Sequence, residues 1–208
     1  SPDPGLAVAA VMIARVEYPK HDAGPYLDRL DALGREALRR VREAAIAPGD
    51  APARVDPVRY ARVMALNEYL FGELRFAGND VHYEDPRNSF LNQVIDRRTG
   101  IPITLALIYI EVARRAGVHV EGVNFPGHFL VRCPARRGLQ HYAEDLIIDA
   151  HHGGALLSKD ACRKLYKKHA RASEDDCDTP EDAHSDAELE ARLFLRATKP
   201  QIMTRMLV

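Results

Sequence analysis

The sequence has few cysteines and no surplus of either charge, and each shortage argues against a class of protein. Only three cysteines occur in 208 residues, Cys133, Cys162 and Cys177. They are odd in number and lack metal-ligand spacing, and no Asn-x-Ser/Thr glycosylation site accompanies them, so we predict a reducing, cytoplasmic setting. The 29 lysines and arginines balance 30 aspartates and glutamates, which gives no argument for a nucleic-acid partner.

The sequence also lacks a long hydrophobic run. A membrane-spanning helix needs about 20 apolar residues, whereas the most apolar stretch here, 101–112, is short and has arginines on both sides. We therefore predict a buried core helix at this stretch and no membrane partner. The hydrophobic fraction of 46% is sufficient for the core of one domain.

Periodicity and capping signals predict an α+β domain. Apolar residues recur at helical spacing in 25–46, and Asp56-Pro57 fits an N-cap followed by proline at the first helical position. The predicted helices are 5–17, 25–46, 57–73, 88–97, 102–116, 158–169 and 200–207. The predicted strands are 118–124, 128–133 and 142–149.

We divide the chain into four segments on composition. They are an N-terminal helical segment with its linker (1–57), a core (58–170), an acidic mobile loop (171–187) and a C-terminal helical segment (188–208). The loop is acidic and poor in apolar residues. The last helix has no stop signal, so we expect the native chain to continue, with the last segment as the start of a helical extension.

The order of helices and strands, with His128 at one strand and Asp149 on the next, resembles the transglutaminase-like, papain-related core. Several stretches in the right order resemble its SirB-type family over about residues 5–170. These stretches are Asn67-Glu68-Tyr69-Leu70-Phe71, Asp85-Pro86-Arg87-Asn88-Ser89, Arg97-Arg98-Thr99-Gly100-Ile101-Pro102-Ile103, Phe125-Pro126-Gly127-His128-Phe129-Leu130-Val131-Arg132 and Ile148-Asp149-Ala150. The resemblance implies an antiparallel sheet with an N-terminal helical layer, and a bacterial protein with a regulatory role rather than a defined activity.

The resemblance also implies that the catalytic cysteine is missing. In active relatives Gly-x-Cys opens a helix, an alanine follows four residues after the cysteine, and a glycine ends the helix fifteen residues after it. That spacing is kept here by Gly100, Pro102, Ala106 and Gly117. The nucleophile position is therefore Pro102, which suits the first helical residue because no N–H is needed there, but which provides no thiolate. Strand alternation is expected to point Cys133 away from His128.

Five residues remain as candidates for binding. They are Asn88, Asn92, Thr104, His128 and Asp149. The last two can form an oriented imidazole–carboxylate pair, or a buried pair that serves packing alone. Asn88 and Asn92 flank the cleft of this fold, although Asn88 or Ser89 can instead cap a helix. We expect Thr104 to cap, to pack or to hydrogen-bond a nearby carbonyl rather than to act as a nucleophile.

Metal binding is a separate possibility that spacing does not favour. His128, Asp149, His151 and His152 are of ligand types that zinc accepts, but they show no His-x-x-x-His pattern. We expect His151 and His152 on a solvent-exposed loop, and we predict no metal and no cofactor.

These observations lead to one main functional hypothesis. It is a transglutaminase-like module without thiol catalysis, which engages an unknown protein partner or small ligand through the cleft around Pro102, His128 and Asp149. The alternative is a hydrolase with a water activated by His128 and Asp149, or by a metal in the same cleft. A third reading is a purely structural platform for helical repeats.

Overall fold

Seven α-helices and a four-stranded antiparallel sheet form the described part of the chain, which confirms the predicted α+β class. The computed structural model describes residues 5–20, 22–136, 138, 140–172 and 194–206. The helices are α1 (Leu6–Glu17), α2 (Gly24–Ile46), α3 (Pro57–Asn67), α4 (Leu91–Arg97), α5 (Pro102–Arg115), α6 (Lys159–Ala172) and α7 (Lys199–Met206). The strands are β1 (Ala77–Gly78), β2 (Thr99–Gly100), β3 (Glu121–Val123), β4 (Leu130–Cys133), β5 (Leu146–Asp149) and β6 (Ala155–Leu157). None of the described helices is long and apolar enough to cross a membrane.

Three helix ends follow the capping residues of the sequence. The Asp56 side chain accepts a hydrogen bond from the Arg59 N–H and caps α3, and the Ser158 hydroxyl accepts one from the Ala161 N–H at the start of α6. Gly117 takes the positive φ of 71° that ends α5. Helix α3 continues directly into a π-helix, Glu68–Glu73.

The sheet has the order β3-β4-β5-β6, with every neighbouring pair antiparallel. The three predicted strands exist but are shorter than expected. The last of them begins at Leu146 rather than at 142, because the Glu144 N–H donates to the Arg54 carbonyl and the Arg59 guanidinium donates to the Glu144 carbonyl. Strand β6 and the two-residue parallel pair β1–β2 were not predicted.

One main hydrophobic core joins elements from both ends of the described chain. It contains buried residues of α1, α2, α5, the sheet and α7, for example Ala10, Leu30, Tyr109, Val131 and Met206. A smaller cluster lies under α6 and includes Leu130 and Cys162. The predicted division into four segments stays a prediction, and all but 171 and 172 of the predicted acidic loop lies outside the described residues.

Candidate functional site

His128 and Asp149 are in direct contact. His128 lies in the turn before β4, which Gly127 closes with a φ of 65°, and Asp149 is the last residue of β5. The Nε2 atom of His128 lies 2.9 Å from Oδ2 of Asp149. Their exposed fractions are 4% and 3%, so the pair is inside the protein rather than on an open surface.

Asp149 is held by four hydrogen-bonding groups. Its Oδ1 accepts the backbone N–H groups of His151 at 3.1 Å and His152 at 3.2 Å. Its Oδ2 contacts the His152 Nδ1 at 2.9 Å as well as the His128 ring. Burial would raise the pKa of Asp149, but the His128 and then the His152 interactions outweigh it and lower the pKa to about 2.

The structure confirms the expected exposure of His152 and corrects that of its neighbour His151. His152 is exposed, but His151 is only 6% exposed, and its Nε2 lies 2.9 Å from Oδ1 of Asp80. His151 is buried because its ring lies against Gly78 of β1, where an added Cβ would meet the ring at 2.5 Å. Sequence reasoning missed Asp80, which lies 71 residues from His151 and gives no local signal.

The start of α5 is a buried hydrogen-bonded corner. Pro102 is the first helical residue, and the Thr104 hydroxyl donates to the Asn88 carbonyl at 2.7 Å and accepts from the Ile101 N–H at 3.2 Å. Thr104 therefore caps, as predicted from its position. The prediction that Asn88 or Ser89 caps the next helix is wrong, because α4 begins at Leu91 after Phe90.

The two asparagines are completely buried and differ in their contacts. The Asn88 amide donates to the carbonyls of His82 and Tyr83, at 2.8 and 3.2 Å, and so fixes the preceding loop. The Asn92 side chain has no hydrogen-bond partner among the described residues. Neither asparagine lines the cleft described next, and their roles as ligand contacts stay predictions.

A cleft of about 580 Å³ opens beside Pro102. It is lined by α1, the loop before α4, the start of α5 and α7, and its walls are mainly apolar. The apolar lining residues are Ile13, Val16, Pro86, Phe90, Ile101, Pro102, Ile103, Phe129 and Met206. His128 and Asp149 do not line it, so the structure separates the open cleft from the buried pair.

The described thiols lie away from this cleft. Cys133 is buried in the main core, where burial raises the pKa of its thiol to about 11. Cys162 is buried in the smaller cluster, and Cys177 lies outside the described residues. Neither described thiol is in a position to replace a nucleophile at Pro102.

The chain combines an apolar helix, an antiparallel sheet and a buried His–Asp pair. This is the architecture of the transglutaminase-like class of proteins. The family model described as the transglutaminase-like superfamily matches residues 25–208. The chain belongs to that superfamily.

Several relatives refine the comparison. A UPF0162 protein of Xylella fastidiosa (strain 9a5c) is 43% identical over 165 residues, which cover 79% of this chain and 52% of the relative. A UPF0162 protein of Pseudomonas aeruginosa is 33% identical over 162 residues, covering 78% of this chain and 52% of the relative. F-box only protein 21 of Mus musculus is 42% identical over 111 residues, covering 52% of this chain and 18% of the relative. The chain thus spans about half the length of the UPF0162 relatives, and no solved structure matches it significantly.

Proposed function

We propose that this chain is a non-catalytic binding or regulatory module of the SirB type, which holds an extended apolar peptide of a partner protein in the cleft beside Pro102. The cleft carries the proposal, because it is open, large enough for two or three side chains and lined mainly by apolar groups. In this proposal Pro102 occupies the position where an active relative has its thiol.

The exposed apolar side chains at the rim of the cleft favour a macromolecular ligand over a small molecule. Val16 is 82% exposed, and Tyr83 is also exposed, so apolar surface continues outward from the cleft into solvent. A peptide would cover these side chains, whereas a small ligand inside the cleft would leave them in water. The matching segment of F-box only protein 21 makes up 18% of that protein, so the similarity is confined to one part of a longer protein.

The environments of the two described cysteines support a function that uses no thiol. Cys133 is buried with a raised pKa, and the Cys162 side chain is also buried. We also propose a cytoplasmic location, because the three cysteines of the sequence are odd in number and lack metal-ligand spacing.

The test is selection of random peptides displayed on phage against the immobilised chain, followed by fluorescence anisotropy with the selected peptides. We expect peptides with apolar side chains, and we expect Val16→Glu to weaken their binding at least about tenfold, which corresponds to about 1.4 kcal/mol. Val81→Glu is the matched control, since Val81 is 84% exposed and does not line the cleft. Failure to select any peptide, or equal binding by Val16→Glu and wild type, would contradict the proposal.

Hydrolysis by an activated water is the second candidate, and the His128–Asp149 hydrogen bond favours it. The burial of both residues counts against it, because a substrate must reach the imidazole. Under the binding proposal, a panel of chromogenic esters and amides is not turned over. Turnover that disappears in His128→Ala would instead establish the hydrolase.

A further inference from the structure

Three imidazoles and two carboxylates converge around the turn between β5 and β6. The ring centroids of His151 and His152 are 5.0 Å apart, and that of His128 lies 5.8 Å from His152. The potential ligand atoms of His128, Asp149 and His152 all lie within 4.8 Å of one another, and so do those of Asp80, His151 and His152. The two groups share His152.

The carboxylate at the centre is oriented by the backbone. Two N–H groups of the turn hold Asp149 Oδ1, so Oδ2 is directed at the nitrogen atoms of His128 and His152, each 2.9 Å away. Tetrahedral zinc with bonds of about 2.0–2.1 Å separates its ligand atoms by roughly 3.3 Å. Each of the two nitrogen atoms needs to move away from Asp149 Oδ2 by only a few tenths of an ångström to accept such an ion.

A buried imidazole beside this group has an unsatisfied atom. His151 Nδ1 is buried and has no hydrogen-bond partner among the described residues, while Nε2 of the same ring contacts Asp80. A buried polar atom without a partner commonly indicates a water or an ion at the site. Gly78 leaves the space that this ring fills, so the neighbourhood is shaped for an imidazole.

Solvent can reach the cluster from one side. The His152 side chain is 57% exposed and lines a depression of about 620 Å³ together with Asn67, Gly153 and Gly154. The other two ligand residues, His128 and Asp149, are buried. An ion can therefore enter past His152 and keep one position open to water.

We infer that His128 Nε2, Asp149 Oδ2 and His152 Nδ1 form a binding site for a divalent transition metal of the zinc class. Two imidazoles and one carboxylate are a ligand set that zinc accepts, and three protein ligands leave a fourth position for water. Asp80 and His151 stand next to the site and are not among its ligands. The site is separate from the cleft beside Pro102, so either proposal can fail without the other.

The experiment is calorimetric titration of the tag-free chain, stripped with EDTA and dialysed, with zinc chloride. We expect one Zn²⁺ per chain, and we expect Co²⁺ to give the visible absorption of a four-coordinate site. His152→Ala should weaken Zn²⁺ binding by about 100-fold or more, since even loss of an outer partner costs about 10–100-fold. His119→Ala is the matched control, because His119 is exposed and outside the cluster, and it should bind as the wild type does.

Two carboxylate variants decide between the overlapping groups. Asp149→Asn should lose Zn²⁺ binding to the same degree as His152→Ala, and Asp80→Asn should change it less than tenfold. The inference is overturned if the wild type shows no stoichiometric binding, or if His152→Ala keeps it. It is also overturned if Asp80→Asn loses binding while Asp149→Asn, verified as folded by circular dichroism, retains it.

Discussion

At the scale of single residues, the Thr104 hydroxyl connects α5 to the loop that precedes α4. It satisfies the Asn88 carbonyl and the Ile101 N–H, both in a buried corner. We predict that Thr104→Val lowers the free energy of unfolding by about 1–3 kcal/mol, because valine keeps the shape but leaves these two groups only the long 3.5 Å hydrogen bond between them. Urea denaturation followed by circular dichroism measures the change.

The control for this prediction is Thr104→Ser, which keeps the hydroxyl and removes only a methyl group. Serine should restore most of the stability that valine loses. Equal losses in the two variants would show that packing of the methyl group, rather than hydrogen bonding, stabilises the corner.

Asp85, at the edge of the cleft, gives a prediction on pH. The Arg87 hydrogen bonds lower the pKa of Asp85 from 3.8 to about 2. Since the pKa is lower in the folded state, the ionised carboxyl stabilises the fold above pH 3.8, and this contribution is lost as the pH falls towards about 2. The melting temperature of Asp85→Asn should therefore be below that of the wild type near neutral pH, and the difference should shrink on acidification through that range.

Thermal melts at a series of pH values, recorded by circular dichroism, measure this convergence. Asp50→Asn is the control, because Asp50 is exposed in the linker before α3, and its melts should follow those of the wild type throughout. A difference between Asp85→Asn and wild type that stays constant down to pH 2 would contradict the prediction.

At the scale of elements, the contact between α2 and α5 depends on a glycine. A Cβ on Gly34 would lie 2.3 Å from the Cβ of Arg115, so the helices approach too closely for any side chain. We predict that Gly34→Ala destabilises the protein, although alanine favours an isolated helix by about 1 kcal/mol. Gly24→Ala in the same helix meets no atom closer than 3.5 Å, so it should be neutral or stabilising in the same denaturation assay.

The helices could be predicted where their signals are local. Asp56 and Ser158 lie at the caps, and Gly117 lies at a C-terminal turn. Strands β1, β2 and β6 could not be predicted, because two or three residues by themselves are too few to show alternation. Strand β6 is three residues long and is defined by its pairing with β5, which is a contact between segments rather than a local preference.

At the scale of the whole molecule, the continuous core predicts one unfolding transition. Ile202 of α7 is buried in the same core as α1 and α5. We expect Ile202→Ala to lower the free energy of unfolding by about 2–5 kcal/mol, with circular dichroism and tyrosine fluorescence changing together. Thr204→Ala, on the exposed side of α7, should have little effect, and two separate transitions would refute a single cooperative unit.

The same distinction between local and distant contacts applies to the candidate site. The contact of His128 with Asp149 follows from two neighbouring strands and was expected from the resemblance, and Thr104 was expected to cap. The burial of His151 was not expected, because it depends on contacts with Gly78 and Asp80, which are far away in the sequence. The separation of the cleft from the buried pair likewise depends on how α1 and α7 pack beside α5, which no local pattern indicates.

The π-helical segment that follows α3 makes the length of this part of the chain critical. Its hydrogen bonds join residues five apart instead of four, so it contains more residues per turn than an α-helix. Phe71 and Gly72, in the wall of the depression next to His152, belong to this wider turn. A π turn holds about one residue more than an α turn over the same rotation, so deleting one residue between 68 and 73 would allow ordinary α-helical geometry, keep the direction of the following side chains and narrow this turn. The number of residues in this segment, and not only their identity, thus sets the width of the turn that lines the depression beside His152.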